Sequence, residues 1–383
     1  MDQNALEIVT GDYFTDLSQK SVIKLLERDT FSAPEIEIFK SVSKWCKVND
    51  DVDGLVIRSV RLSWLTVMDI MSIVRPSQLV EDEILFGAIA EIVGVKAKTS
   101  VCRAKKLTDV NIATPENKAE VIAGNNTTFL LTGNRNVDKC AYHSIDCKSS
   151  ITVKLGVPSY LNHINMMLWD KDSRYYSYYI EVSLDQEKWK KVVDYSSYPC
   201  RSIQDLYFKE EIAQYGETTW CFNLVFFEAY FKATIPKVIG DIICPITNVA
   251  TLSKKAMVIE GSNPNQLING NFSKYTDYRG YSDHTIGKDK IIFQLTQPYM
   301  ISSMKLRLWD GDGRSYRYFI ETSVDKSNWK IVADRRNEDC KSCQTLQFNQ
   351  SPVVYIRITG THNTANNTFH CFVLECPASS DNK

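Results

Sequence analysis

The feature that most limits how this chain can fold is a stretch that occurs twice. Leu168-Trp169-Asp170-Lys171-Asp172-Ser173-Arg174 returns as Leu308-Trp309-Asp310-Gly311-Asp312-Gly313-Arg314, and the register holds without a gap to Phe208 and Phe348. Tyr176, Tyr178, Ile180, Glu181, Ser183, Asp185 and Trp189 recur as Tyr316, Tyr318, Ile320, Glu321, Ser323, Asp325 and Trp329, always 140 residues on. A spacing this long marks a duplicated domain; solenoid units run to a few tens of residues.

Within each copy the apolar pattern has period two. Tyr316, Tyr318, Ile320, Thr322 and Val324 alternate with Arg317, Phe319, Glu321 and Ser323, and Met304, Leu306 and Leu308 alternate with Lys305 and Arg307. Such segments are half-buried strands. Several of them with little helix, in copies of about 130 residues, predict a β-sandwich of jelly-roll type.

Residues 13–95 follow a helical period instead. Leu17, Val22, Leu25 and Leu26 recur at helical spacing, and Ile36, Phe39, Val42 and Cys46 form a second stripe. Ser32-Ala33-Pro34-Glu35 reads as a capping box with proline near the start. Thr66-Val67-Met68-Asp69 caps a later helix that is expected to stop before Pro76, and Ile84, Leu85, Ala88, Ile89 and Ile92 mark the last one. The expected fold class is multidomain α plus β: an all-α bundle over residues 13–105, then sandwiches over residues 107–232 and 245–377.

With a formal net charge of −1, the chain has no global field to recruit nucleic acid or an anionic membrane. It has no apolar run of the length that spans a bilayer, and Met1-Asp2-Gln3-Asn4-Ala5-Leu6-Glu7 lacks the apolar core of a secretory signal. A cytoplasmic protein is the expectation. The 11 cysteines are odd in number, and the copies disagree where Glu375-Cys376 faces Glu228-Ala229. Reduced thiols are therefore expected, including at Cys244 and Cys376, the pair that could approach one another across the ends of copy two.

Leu25-Leu26-Glu27-Arg28-Asp29-Thr30-Phe31-Ser32-Ala33-Pro34-Glu35-Ile36-Glu37-Ile38-Phe39, with Trp45 and Val74-Arg75-Pro76, resembles the BACK domain. The duplicated block is similar to the discoidin, or coagulation factor 5/8 type C, domain, a galactose-binding-like jelly roll. The residues that carry this are the strand ending in Leu-Trp-Asp, the Asp-x-Asp-x-Arg turn, the Tyr-x-Tyr strand, Ser-x-Asp before Trp, and Tyr355-Ile356-Arg357-Ile358. The order of the parts resembles a BTB–BACK family with tandem discoidin domains. That resemblance implies a cullin-RING ubiquitin ligase adaptor with links to neuronal and behavioural regulation. Only residues 1–12 stand before Tyr13, so the chain as written is expected to lack the BTB part, and a cullin-type ligase is a partner only if one is supplied.

The copies differ in one place. Ile356-Arg357-Ile358-Thr359-Gly360-Thr361-His362 have no counterpart after Tyr215, so residues 216–220 are expected to form a loop or a poorly paired strand, and copy one to be the less stable.

Little in the chain points to catalysis. Asp170, Asp172, Arg174 and their twins Asp310, Asp312, Arg314 read as turn pairs; a guanidinium two residues from a carboxylate competes with any cation. Cys340-Lys341-Ser342-Cys343 faces Cys200-Arg201-Ser202-Ile203, which places an apolar residue opposite Cys343 and argues for structure over redox or zinc chemistry. Cys140, His143 and Cys147 approach ligand spacing without an evident fourth ligand. With no nucleophile elbow, HExxH, P-loop or dinucleotide fingerprint, no enzyme, cofactor or metal is expected.

Binding remains. Residues 271–283 of copy two carry Tyr275, Tyr278, Arg279 and Tyr281, rigid aromatic contact area with a donor, and form the candidate partner-binding loop. Residues 134–143 of copy one are poorer in aromatics. The expected function is a non-catalytic intracellular scaffold or substrate-recognition subunit that holds a protein partner. The alternative is a carbohydrate- or phospholipid-binding module.

Overall fold

The computed structural model describes residues 5–49, 51, 53–94, 103–143, 150–218, 222–263, 267–268 and 281–378. Helices α1 (Ala5–Thr10), α2 (Gln19–Leu26), α3 (Glu35–Asn49), α4 (Leu55–Arg58), α5 (Val67–Asp69) and α6 (Asp82–Gly94) form the N-terminal bundle. Its core is Val22, Leu25 and Leu26 of α2 against Ile38, Phe39, Val42 and Trp45 of α3, with Phe14, Phe31, Val56, Ile70 and Leu85. Ser18 caps α2 by accepting from the Ser21 amide, and Thr66 and Asp69 cap α5 reciprocally. None of the described helices is long and apolar enough to cross a membrane.

Two local readings change. The hydroxyl of Ser32 donates to the Arg103 carbonyl, and the Glu35 carboxylate receives the Arg61 amide and the Arg103 guanidinium, so this stretch docks the downstream chain where a capping box was expected. After α5 the chain does not stop at Pro76. It widens into a π-turn over Ile70–Val74 and tightens into a 3-10 turn over Arg75–Ser77 that contains the proline.

Copy one comprises β1 (Glu120–Ala123), β2 (Ala141–His143), β3 (Ile151–Leu168), β4 (Tyr176–Ser183), β5 (Lys190–Cys200), β6 (Ile203–Thr218) and β7 (Phe222–Tyr230), in spatial order β2-β7-β3-β6-β4-β5 with β1 on β3. Copy two comprises β8 (Val238–Ile239), β9 (Ile242–Ile243), β10 (Met257–Glu260), β11 (Ser282–Thr285), β12 (Ile291–Leu308), β13 (Tyr316–Ser323), β14 (Lys330–Cys340), β15 (Cys343–Asn363) and β16 (Thr368–Glu375). Its order, β11-β16-β12-β15-β13-β14, repeats that of copy one. Tyr178, Ile180 and Leu206 in one copy, and Tyr318, Ile320 and Leu346 in the other, lie at matching places in two separate cores. The architecture is an α bundle followed by two jelly-roll sandwiches.

The gap between the copies lies further along than residue identity indicates. Gly216, Glu217 and Thr218 are not a loop: they pair with β3 on one side and β4 on the other, in a central strand. Ile151↔Thr218 matches Ile291↔Ile358, so the unmatched residues of copy two begin after Ile358. Pairing of β13 with β15 accordingly runs from Tyr316↔Asn363 to Ser323↔Tyr355, whereas that of β4 with β6 begins only at Ile180↔Thr218 among the described residues. The ladder decides register, and Gly216 opposite Ile356 carried no side-chain signal of it.

The three domains are joined through equivalent features. In β12 the register breaks between Gln294 and Tyr299, and in β3 between Lys154 and Ser159. The β3 break meets the linker, where the Lys105 amide donates to the Pro158 carbonyl at 2.8 Å and the Tyr160 amide to that of Lys105 at 2.9 Å. The β12 break meets copy one: the amide of Arg201 and Nε2 of Gln204 both donate to the Thr296 carbonyl at 2.9 Å. Gln297 and Asp205 exchange two more bonds, at 2.7 and 3.0 Å. Each sandwich thus docks on the element before it with the same bulge.

The face of copy one that receives copy two is aromatic. Tyr195 donates to the Asp241 carbonyl at 2.9 Å, and Tyr198 packs on the core residues around it. The matching places in copy two are Arg335 and Glu338, which pair with each other at 2.9 Å in the exposed strand β14. Charge on that edge keeps a further strand or copy from adding, as polar caps end repeat arrays.

Candidate partner-binding site

At one end of copy two, four elements bring together side chains from far apart in sequence. Trp309 follows the last residue of β12, Arg314 closes the turn into β13, Tyr281 precedes β11, and His370 lies on β16. The Tyr281 and His370 rings stack at 4.3 Å and 6°. Trp309 lies 6.1 Å from Tyr281 and 5.9 Å from His370, and the Arg314 guanidinium sits 4.5 Å over its ring. Tyr281 and Trp309 remain half-buried and His370 is buried.

The turn holds Arg314 in place. Asp312 accepts from its Nε at 2.8 Å and its Nη2 at 2.5 Å, and this contact draws the Asp312 carboxyl down to about 2. Asp310 takes no part in that pair and accepts from the Ser342 hydroxyl at 2.5 Å. Arg314 Nη1 and His370 Nδ1 are buried and have no hydrogen-bond partner among the described residues. Beneath the cluster, Phe369 touches the rings of His284, Tyr316 and Tyr318. His284 accepts the Gly360 amide at Nε2, which leaves Nδ1–H to face the Thr285 carbonyl.

Copy one keeps the frame and the tryptophan and loses the other two rings. Arg174 pairs with Asp172 at 2.7–3.0 Å and sits 4.3 Å over Trp169. The Trp169 amide donates to the Asn223 carbonyl as that of Trp309 does to His370, so Asn223 stands in the place of His370. Ala141↔Leu224 matches Ser282↔Cys371, which puts Cys140 in the place of Tyr281. Asn223 donates to Cys140 Sγ at 3.5 Å, and Lys171 pairs with Asp138 across the same end. The Asp170 carbonyl accepts from the Arg201 guanidinium.

Of the residues singled out in sequence, Tyr281 and Arg314 meet here. Tyr275, Tyr278 and Arg279 lie outside the described residues. His370 and Trp309 escaped sequence reasoning, His370 because it sits in an apolar strand and Trp309 because its recurrence in both copies reads as core. The available signal was Tyr281/Cys140 and His370/Asn223, positions where the copies part. Cys340 is buried and Cys343 exposed, both as free thiols, and no His, Cys, Asp and Glu cluster among the described residues is arranged to hold a metal. Cys147 lies outside the described residues.

Burial, reinforced by Arg314, depresses the His370 imidazole from 6.5 to about 4. The sign follows: the unfolded state binds the proton more readily between these values, so stability present above about pH 6.5 is lost as pH falls through about 4. Copy two should lose on the order of 1 kcal/mol across that window, allowing for screening at the rim. Urea midpoints taken between pH 7 and 4.5 check this; His370→Asn, the copy-one residue, should flatten the slope, and an unchanged slope refutes the assignment.

A family model described as "F5/8 type C domain" matches residues 251–374, and one described as "BTB And C-terminal Kelch" matches residues 1–75. BTB/POZ domain-containing protein 9 of Mus musculus is 39% identical over 399 residues, covering 100% of this chain and 65% of that protein. Its Drosophila melanogaster counterpart is 40% identical over 400 residues, covering 100% of this chain and 55% of that protein. The chain therefore spans somewhat less than two thirds of the curated relatives it matches. Among solved structures, chitosan-binding module 1 from a chitosanase/glucanase of Paenibacillus sp. IK-5 is 21% identical, covers 32% of this chain and 99% of that module, and has a TM-score of 0.26.

Proposed function

The chain is a homologue of BTB/POZ domain-containing protein 9 along its whole length, with a BACK domain followed by discoidin-type sandwiches, and on that premise we propose that it is a non-catalytic protein-interaction scaffold. It acts as the substrate-recognition part of a BTB-type adaptor in the cytoplasm. The bundle and copy one serve as a rigid mount, and copy two holds the partner. The observation that carries this reading is the Tyr281–His370–Trp309–Arg314 cluster, an aromatic and arginine patch of the composition that dominates protein hot spots. It stands at the C-terminal end of β12, whereas the bulge that docks on copy one lies in the N-terminal half of that strand.

The test compares the chain with its Tyr281→Ala, Trp309→Ala double variant by affinity capture from cells, alongside a glycan array and vesicle flotation. A protein captured by the first and reduced at least about ten-fold in the second, with unchanged melting, supports the proposal. Glycan or vesicle binding that the same substitutions abolish, with no such protein, overturns it in favour of a lectin-like or lipid-binding module.

A further inference from the structure

Helix α6 is apolar on more sides than the bundle covers. Leu85 and Ala88 are buried, yet Ile84, Phe86 and Val93 are 45, 55 and 66% exposed. A helix that is hydrophobic all round belongs inside something. Beside it runs an open groove of about 710 Å³ between α4, the turn at Leu62–Trp64 and α6, floored by Ile57, Trp64, Leu79, Ile84 and Ala88. The family model that matches the bundle ends at residue 75, before α6.

Gly87 is an independent observation. It sits inside α6 and lines the groove, and a Cβ placed on it would meet nothing within 4 Å. A glycine in a helix interior is unfavourable relative to alanine, and no neighbour among the described residues requires it. It leaves room for another backbone to approach.

The rim carries the charge that selects the occupant. Asp51, Asp53, Glu81 and Glu91 line the groove against Arg58 and Arg61, and Arg61 is already paired with Asp29 and stacked on Trp64 at 4.3 Å. Among the described lining residues the balance is acidic. The chain's own lysine-bearing helix α2 cannot serve from a second copy, because Val22, Leu25 and Leu26 are buried in its own core.

We propose that the α4–α6 groove docks an amphipathic helix of a partner protein that presents apolar side chains at helical spacing, flanked by lysine or arginine, with its backbone passing over Gly87. This surface is separate from the aromatic end of copy two, and the partner need not be the same.

The experiment uses the full chain and a fluorescent synthetic peptide of leucine and lysine at amphipathic helical spacing, with a glutamate-for-lysine peptide beside it. The lysine peptide should bind saturably by anisotropy, and the glutamate peptide at least about ten-fold more weakly. Gly87→Leu should weaken the lysine peptide at least about ten-fold while leaving the melting temperature unchanged or higher. Glu81→Lys with Glu91→Lys, both exposed, should weaken it without touching the core. Equal affinity across peptides or variants, or no binding to the unmodified chain, overturns the proposal. A dimer in solution that Gly87→Leu dissolves overturns it in favour of a second copy as occupant.

Discussion

Arg103→Met is expected to destabilise the helical domain by about 3–5 kcal/mol, because it breaks a buried ion pair from one side. The Arg103 and Glu35 side chains are 0 and 4% exposed. The guanidinium donates to both Glu35 oxygens at 2.8 and 3.2 Å, to the Leu26 carbonyl at 2.5 Å and to that of Arg28 at 2.9 Å. Without it, the Glu35 carboxylate keeps, among the described residues, only the Arg61 amide, at 2.7 Å. The residue also fixes the junction, since Ala104 donates to Asp29 and Lys105 pairs with β3 directly after it. Chemical denaturation followed by helical circular dichroism measures the loss. The double variant Arg103→Met, Glu35→Leu should recover much of it, because two apolar partners leave no stranded charge. A single-variant loss below about 1 kcal/mol would mean that water reaches Glu35 and that the junction is looser than its geometry.

Phe369→Ala should cost copy two about 3–5 kcal/mol, the range for emptying a buried phenylalanine site. Its ring is fully buried, and its centroid lies 5.3 Å from that of Tyr316, 5.8 Å from Tyr318 and 5.4 Å from His284. Gly360 sits flush against it: a Cβ there would come within 2.4 Å of the ring. On that side the void would meet backbone, which has no side chain to collapse into it, and this places the cost in the upper part of the range. Partner capture should fall together with stability, since Phe369 supports the strand position of His370. Urea denaturation of the full chain is the measurement. A loss no larger than that of Phe369→Leu would show that the site relaxes around the cavity.

The domain plan was legible because repetition is a property of sequence alone. A fixed spacing and a period-two pattern place Tyr178 and Tyr318, or Leu206 and Leu346, in equivalent cores whatever the packing details. Docking was harder to read. Pro158 recurs as Pro298, while Gly156 and Val157 bear no resemblance to Thr296 and Gln297, yet the same break in the long strand meets the preceding domain in both copies. That contact is made largely by backbone carbonyls, which every residue possesses. The receiving face did leave a trace, in Tyr195 and Tyr198 opposite Arg335 and Glu338. A position that is aromatic in one copy and charged in the other is one whose environment differs between them, and here the difference is a neighbouring domain.

The candidate site divides along the same line. Sequence by itself determined that two sandwiches follow a helical bundle, that each carries an Asp-x-Asp-x-Arg turn, and that aromatic residues precede β11 of copy two, because these depend on local order and alternation. Only tertiary structure decided that Tyr281, Trp309, Arg314 and His370 meet, and that Cys140 and Asn223 replace two of them in copy one. It also decided that the strand of copy one runs to Thr218. Those facts rest on which strands lie side by side and in what register. Ladder hydrogen bonds between distant segments set that register, and no stretch of sequence carries it alone.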